Sequence, residues 1–209
     1  MARNIQKDTI EITAKDQRIL ESAFRLFAEN TIEKVKLTEV AAAAGIGIAS
    51  LYRYYPSKPE LIMAVNTWAW TNYLADNPLP LKDNMTGAEE FTVHLNAFLD
   101  LYRDHKDLLR FNQFFNVYIQ SEDIAADKMQ DYLQMIRKLE KPFAATCRKG
   151  RADGTIKTNL SEKKMFSVTL HLMLATVTRY AVGLAYNEDT DAEAELELLK
   201  EMLLSKFTD

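Results

Sequence analysis

The sequence predicts an all-α fold, with a small three-helix head followed by a larger helical body. Three observations carry that expectation. Apolar residues recur at helical spacing through most of the 209 residues. Glycine and proline are scarce, at 6 and 5, so few of the turn residues that hairpins require are present. Capping patterns of the S/T-x-x-D/E kind stand directly ahead of several apolar stripes.

The first helix is expected to start at Thr13, which forms such a pattern with Asp16, and to end near Asn30. Ile19, Leu20, Ala23, Phe24, Leu26 and Phe27 form its apolar stripe, with Arg18, Glu21, Arg25 and Glu29 opposite. Two short helices follow. Thr38 is placed to cap the first, Val40, Ala41 and Ala44 give it an inward face, and Gly45 supplies a left-handed end. Ile46 and Leu51 carry the second into the core beside Phe24 and Phe27, and Tyr54 or Tyr55 closes the far end. Two short helices joined by a glycine turn have the layout of a DNA-reading helix-turn-helix, although an ordinary helical hairpin shares those spacings.

Pro56 stops the third helix, and Ser57 to Glu60 is a second capping box that opens a longer one. Leu61, Ile62, Val65, Trp68, Ala69 and Tyr73 share a face of it, and Asp76 to Met85, with Pro78 and Pro80, is a loop. Thr86 with Glu89 caps a helix striped by Phe91, Leu95, Phe98 and Tyr102. After a break near His105 comes an aromatic-rich segment through Ile119, and Ser121 is placed to cap the next helix. Pro142 lies inside that helix and should kink or split it. Gly150 to Leu160 is a second loop, 166–186 is apolar nearly all round, and Thr190 with Glu193 caps the last helix. The boundary between head and body is expected at 58/59, giving 1–58 and 59–209.

Charge is unevenly distributed. Residues 1–60 carry nine Lys/Arg against eight Asp/Glu, and the remainder carries 17 against 22, so the acidic balance of −4 belongs to the body. A local basic face, not total charge, governs phosphate affinity, so this balance is compatible with DNA as a partner. Cys147 stands alone, which excludes an internal disulfide and suits a reducing cytoplasm. The polar N-terminus lacks the apolar core of a secretory signal, and Arg179 and His171 within 166–186 argue against a membrane span.

The pattern Ala41-x-x-Ala44-Gly45-Ile46, followed by Leu51-Tyr52-x-Tyr54-Tyr55-x-Ser57-Lys58, resembles the signature of the tetracycline-repressor-like (TetR) family of bacterial transcription regulators. The likeness covers roughly residues 15–62, including Leu26-Phe27-Ala28. It implies a three-helix DNA-binding head on a helical ligand-binding and dimerisation body. Carried over by position, Gly47, Ile48, Ala49 and Ser50 begin the recognition helix in the major groove. The resemblance also implies that Tyr52, Lys58 and Thr38 contact phosphate, and that Arg53 and Tyr54 add base or backbone contacts, while Tyr55 is core. Gly47, Ala49 and Tyr54 depart from the family's commoner serine or threonine, glycine and histidine, which leaves the operator sequence unreadable. Arg3, Lys7 and Lys15 at the N-terminus could reach the adjacent groove or phosphates or remain a solvated tail.

In the body, Trp68, Phe91, His94, Phe98, Tyr102, Phe111, Phe115, Tyr118, Tyr132 and His171 could form an apolar pocket with a few polar groups. The expected effector is therefore small and apolar or aromatic; aromatic stripes also serve simply as core. Helices near 166–186 and 190–207 would both be buried if a second copy supplied the same pair, giving a homodimer able to read a palindrome on double-stranded DNA. No catalytic motif, metal-ligand spacing or cofactor turn is present, so neither enzyme activity nor a cofactor is expected. The expected function is a ligand-responsive regulator that represses transcription; the competing expectation is a DNA-binding scaffold governed by a protein partner.

Overall fold

The computed structural model describes residues 14–121, 130–187 and 189–208. Nine helices and no strand occur among them: α1 (Ala14–Glu29), α2 (Leu37–Ala43), α3 (Ile48–Tyr54), α4 (Lys58–Asp76), α5 (Gly87–Asp104), α6 (Lys106–Ser121), α7 (Gln130–Ala152), α8 (Glu162–Ala181) and α9 (Ala192–Thr208). The expected Thr13 cap, together with Arg3 and Lys7, lies outside the described residues.

α1, α2 and α3 pack around Ile19, Ala23, Phe27, Val40, Ala41 and Leu51, all buried. The loop between α1 and α2 adds Ile32 and Val35, which no helical periodicity marks as core. This core does not close on its own. Leu61, Ile62 and Val65 of α4 and Phe111, Phe115 and Tyr118 of α6 complete it. Phe111 meets Phe24 edge-on at 5.5 Å and stacks on Phe27 at 6.4 Å. Phe111, Phe115 and Tyr118, expected around a body ligand, are thus turned toward the head, because α6 lies against α1.

The second core belongs to the body, where α5 packs against α7, α8 and α9. Phe91 sits at its centre, edge-on to Phe143 and Phe207 at 5.7 Å each. α5 and α7 touch backbone to backbone: a Cβ at Gly87 would stand 2.0 Å from the Gly150 Cα. Arg103 of α5 pairs with Glu193 and Glu197 of α9 at 3.1 and 3.3 Å, but these exposed pairs contribute little beside the apolar contacts.

Several caps differ from expectation. Lys36 precedes α2, its N–H donating to Glu39 Oε2 at 2.7 Å, so Thr38 lies inside the first turn and does not cap it. Ser57 and Thr86 cap α4 and α5 as predicted, through the Glu60 and Glu89 N–H groups. Ser121 is the last described residue of α6 and its hydroxyl donates to the Tyr118 carbonyl, while the helix start it was expected to cap falls outside the described residues. Asp191, not Thr190, caps α9, by accepting from the Ala194 N–H at 3.0 Å. Thr190 is instead held by Asn187.

Pro142 does not split α7, which continues to Ala152. Proline removes one N–H, and the carbonyl it would have served belongs to Lys138 on the exposed face, where water can satisfy it. Met135, Phe143 and Cys147, all buried, hold the helix on both sides of the proline. α8 is not buried all round: His171, Leu172, Ala175 and Arg179 form an exposed stripe. No helix among the described residues is long and apolar enough to cross a membrane.

Candidate nucleic-acid interface and body cavity

The turn between α2 and α3 is built by its glycine. Gly45 has φ +67°, the left-handed region that a side chain disfavours. The Gly45 N–H donates to the Ala42 carbonyl and the Ile46 N–H to the Ala41 carbonyl at 2.9 Å, which closes α2 with a Schellman turn and directs the chain into α3. Gly47 is extended at the start of α3, at φ −75°. Leu51 anchors α3 at 0% exposure, and Tyr52 beside it is 49% exposed, so one face of a seven-residue helix is core and the other is open.

That open face holds most of the candidate contacts. Ala49, Tyr52, Arg53 and Tyr54 are exposed, and Ile48 and Ser50 are half-buried. Arg53 Nη2 donates to Ser50 Oγ at 3.1 Å, one turn away. Lys15 of α1 lies 5.8 Å from the Tyr54 ring centre, which ties it to the same surface. Tyr55 is half-buried and its hydroxyl is pushed up to about 12, by burial first and by Asp16 second, consistent with a packing residue.

A second cluster lies at the loop before α2. Lys58 Nζ donates to the Glu33 carbonyl at 3.3 Å, bringing the start of α4 to this loop. Lys34 and Lys36 are exposed in the loop, and Thr38 is exposed in the first turn of α2. The family pattern did not mark these two lysines. Their signal is the alternation Lys34-Val35-Lys36, in which the buried valine turns both cations outward.

The body contains a cavity of about 120 Å³ between α4, α5, α6, α7 and α8. Trp70 and Tyr73 come from α4, His94 and Phe98 from α5, Asn112 from α6, Phe143 from α7 and Thr169 from α8. Of the residues expected around a ligand, His94 and Phe98 line it. Phe91 is in the core beneath it, and Trp68 packs on Phe24 at 6.0 Å between the two cores. Tyr102 is buried under Lys106, whose ammonium lies 4.4 Å from the ring centre. His171 is exposed on α8, and the Tyr132 side chain lies outside the described residues. Trp70 is missed by the sequence stripe because α4 is buried on more than one face, between the head, α6 and α7.

The polar edge of this cavity is a relay. Lys149 bonds Glu90 Oε1, and Thr146 Oγ1 donates to Glu90 Oε2 at 2.8 Å. Burial raises the Glu90 carboxyl, but the Lys149 and Thr146 bonds outweigh it and hold it below the usual range. Since Thr146 spends its proton on Glu90, its oxygen accepts from His94 Nε2–H at 3.1 Å. Burial brings the His94 imidazole down to about 4, against the pull of Glu90, so the ring is neutral with a bare Nδ1.

A short two-helix unit with an open second helix, set on a bundle with a partly open cavity, defines the class of helix-turn-helix proteins with a helical body. Residues 19–65 match the model of bacterial regulatory proteins of the tetR family. An HTH-type transcriptional regulator of Staphylococcus aureus is 30% identical over 105 residues, covering 50% of this chain and 55% of that protein. The chain thus spans about half the length of such curated relatives. The regulator YvdT of Bacillus subtilis is 20% identical over 185 residues, covering 87% and 90%. Among solved structures, FadR of Bacillus subtilis in complex with stearoyl-CoA has a TM-score of 0.70 at 18% identity, covering 90% of this chain and 97% of that one. A regulator from Saccharomonospora viridis in complex with choline gives 0.70 at 17%, covering 92% and 97%. At these identities the structural likeness concerns the fold.

Proposed function

We propose that the chain is a ligand-responsive DNA-binding transcription regulator, acting as a homodimeric repressor on a palindromic operator. The observation that carries this reading is the α2–turn–α3 unit, whose outer helix is anchored by Leu51 and presents Tyr52, Arg53 and Tyr54 to solvent. Ser50 and Arg53 address base edges, with Ile48 and Ala49 against thymine methyls where Gly47 leads the helix in. Tyr52, Thr38, Lys58, Lys34 and Lys36 hold phosphates on either side. In this reading the head, 1–58, reads DNA and the body, 59–209, binds effector and partner.

Two further features support it. Adjacent α8 and α9 leave Leu172, Leu198 and Met202 exposed by 44, 56 and 61%, which suits an isologous helical interface with a second copy. Two heads would then reach successive major grooves about 34 to 36 Å apart. The cavity touches both helices that enter the head core: α4 through Trp70 and Tyr73, and α6 through Asn112, next in sequence to Phe111. A ligand that moves either helix therefore changes the seat of α1, and a coupling of about 1 to 3 kcal/mol weakens DNA binding about 5- to 150-fold.

The test is selection of bound genomic DNA by the purified chain, followed by anisotropy titration of the selected site. A palindromic consensus bound by two chains is expected. Binding that neither prefers any sequence nor depends on the α3 residues overturns the reading.

A further inference from the structure

Among the aromatic and aliphatic residues that line the cavity, three carry a polar atom with no partner among the described residues. Trp70 Nε1 and Thr169 Oγ1 are buried and make no hydrogen bond. His94 is 7% exposed, its Nε2–H is committed to Thr146, and its Nδ1 is left as a lone-pair acceptor. A buried donor or acceptor left unmade is costly, so these groups favour a ligand that offers both functions.

Charge narrows the ligand further. No side chain lining the cavity carries a formal charge once His94 is neutral, and Lys149 is consumed by Glu90 behind it. An ionised carboxylate or ammonium inside would be stripped of water without a counter-charge. The groove outside shares Tyr73 and Asn77 with the cavity and bears Asp76 and Asp100, which repel an approaching anion. Size is the last constraint. At about 120 Å³ the cavity is comparable with engineered cavities of about 150 Å³ that admit benzene.

We infer that the cavity takes an uncharged, monocyclic aromatic alcohol of the phenol class, whose hydroxyl donates to His94 Nδ1 and accepts from Trp70 Nε1 or Thr169 Oγ1. Phe98, Phe143 and Tyr73 enclose the ring. This assignment rests on the reading of the body as an effector domain, and it specifies what the effector is. It sets this cavity apart from a site for a charged ligand.

The experiment titrates the full chain at neutral pH with 4-methylphenol, toluene, benzoate and benzylammonium, following calorimetry and tryptophan fluorescence, with DNA anisotropy in parallel. 4-Methylphenol is expected to bind about tenfold more tightly than toluene, as one to two satisfied hydrogen bonds require, and the two ions not to saturate. Trp70→Phe and His94→Phe, checked for folding by circular dichroism, should each reduce the advantage of 4-methylphenol over toluene while toluene still binds. The inference is overturned if toluene equals 4-methylphenol, if either ion matches it, if none of the four binds, or if both variants lose the two neutral compounds equally. The two readings fail separately. A phenol that binds without altering DNA affinity sinks the effector reading and leaves the ligand class standing, whereas DNA release by benzoate or benzylammonium alone does the reverse.

Discussion

At the scale of single residues, His94 couples the body's stability to pH. Its folded value is about 4, below the ordinary 6.5, so between these two values the unfolded chain takes up a proton that the folded chain refuses. Stability contributed by the neutral ring is therefore complete above pH 6.5 and is lost as pH falls toward 4, by up to about 3 kcal/mol. Urea midpoints at pH 7 and 4.5 should fall less for His94→Gln than for the parent chain; equal falls would remove His94 as the cause. On the DNA side, Lys58→Ala should lower affinity on every sequence and reduce the salt slope by about one unit. Ser50→Ala should instead change base preference at one position of the selected site, and equal loss on selected and random DNA would reject that role.

At the scale of elements, the α5–α7 crossing is governed by two glycines. A methyl group at Gly87 meets the Gly150 backbone at 2.0 Å and cannot rotate away, so Gly87→Ala must separate the helices. A loss of about 3 kcal/mol or more is expected from urea unfolding. Gly47→Ala, with nothing within 4 Å, should cost about 1 kcal/mol or less as a helix-start substitution, and a similar loss at both sites would contradict the crossing argument. The helix stripes themselves were readable from periodicity: α1, the Gly45 turn and the Ser57 and Thr86 caps depend on residues close together in the sequence. The caps at Thr38 and Thr190 were misread because several neighbouring polar residues can serve, and only the entry angle of the chain selects Lys36 and Asp191. Of the two outcomes expected at Pro142, the split does not occur, because a proline's cost depends on whether the freed carbonyl faces water.

At the scale of the whole molecule, the exposed apolar residues of α8 and α9 and the open face of α3 are surfaces awaiting partners. Leu198→Glu combined with Met202→Glu should give a monomer by light scattering at micromolar protein, with DNA affinity falling steeply because one head reads only half a site. A double variant that remains dimeric would move the interface elsewhere. The same scale explains the cavity. Its wall draws on five helices, and membership depends on which side of a buried helix faces inward, which periodicity cannot rank when α4 and α6 are buried on several sides. Thus Trp68 was read and Trp70 missed, and Phe111 was read toward the body although it faces the head.

The sequence by itself determined the head. Gly45, Leu51 and the Ala41–Ala44 face specify a helix-turn-helix through local geometry and short-range packing, and the family pattern follows the same residues. Only the tertiary structure decided that α4 and α6 complete the head's core, and that His94, Trp70 and Thr169, each with a polar atom left without a partner, line one cavity. The physical reason is range. Turns and caps are fixed by neighbours a few residues apart, whereas a cavity is what remains when helices 24 to 99 residues apart in the chain, from Trp70 to His94 and from Trp70 to Thr169, fail to fill the space between them.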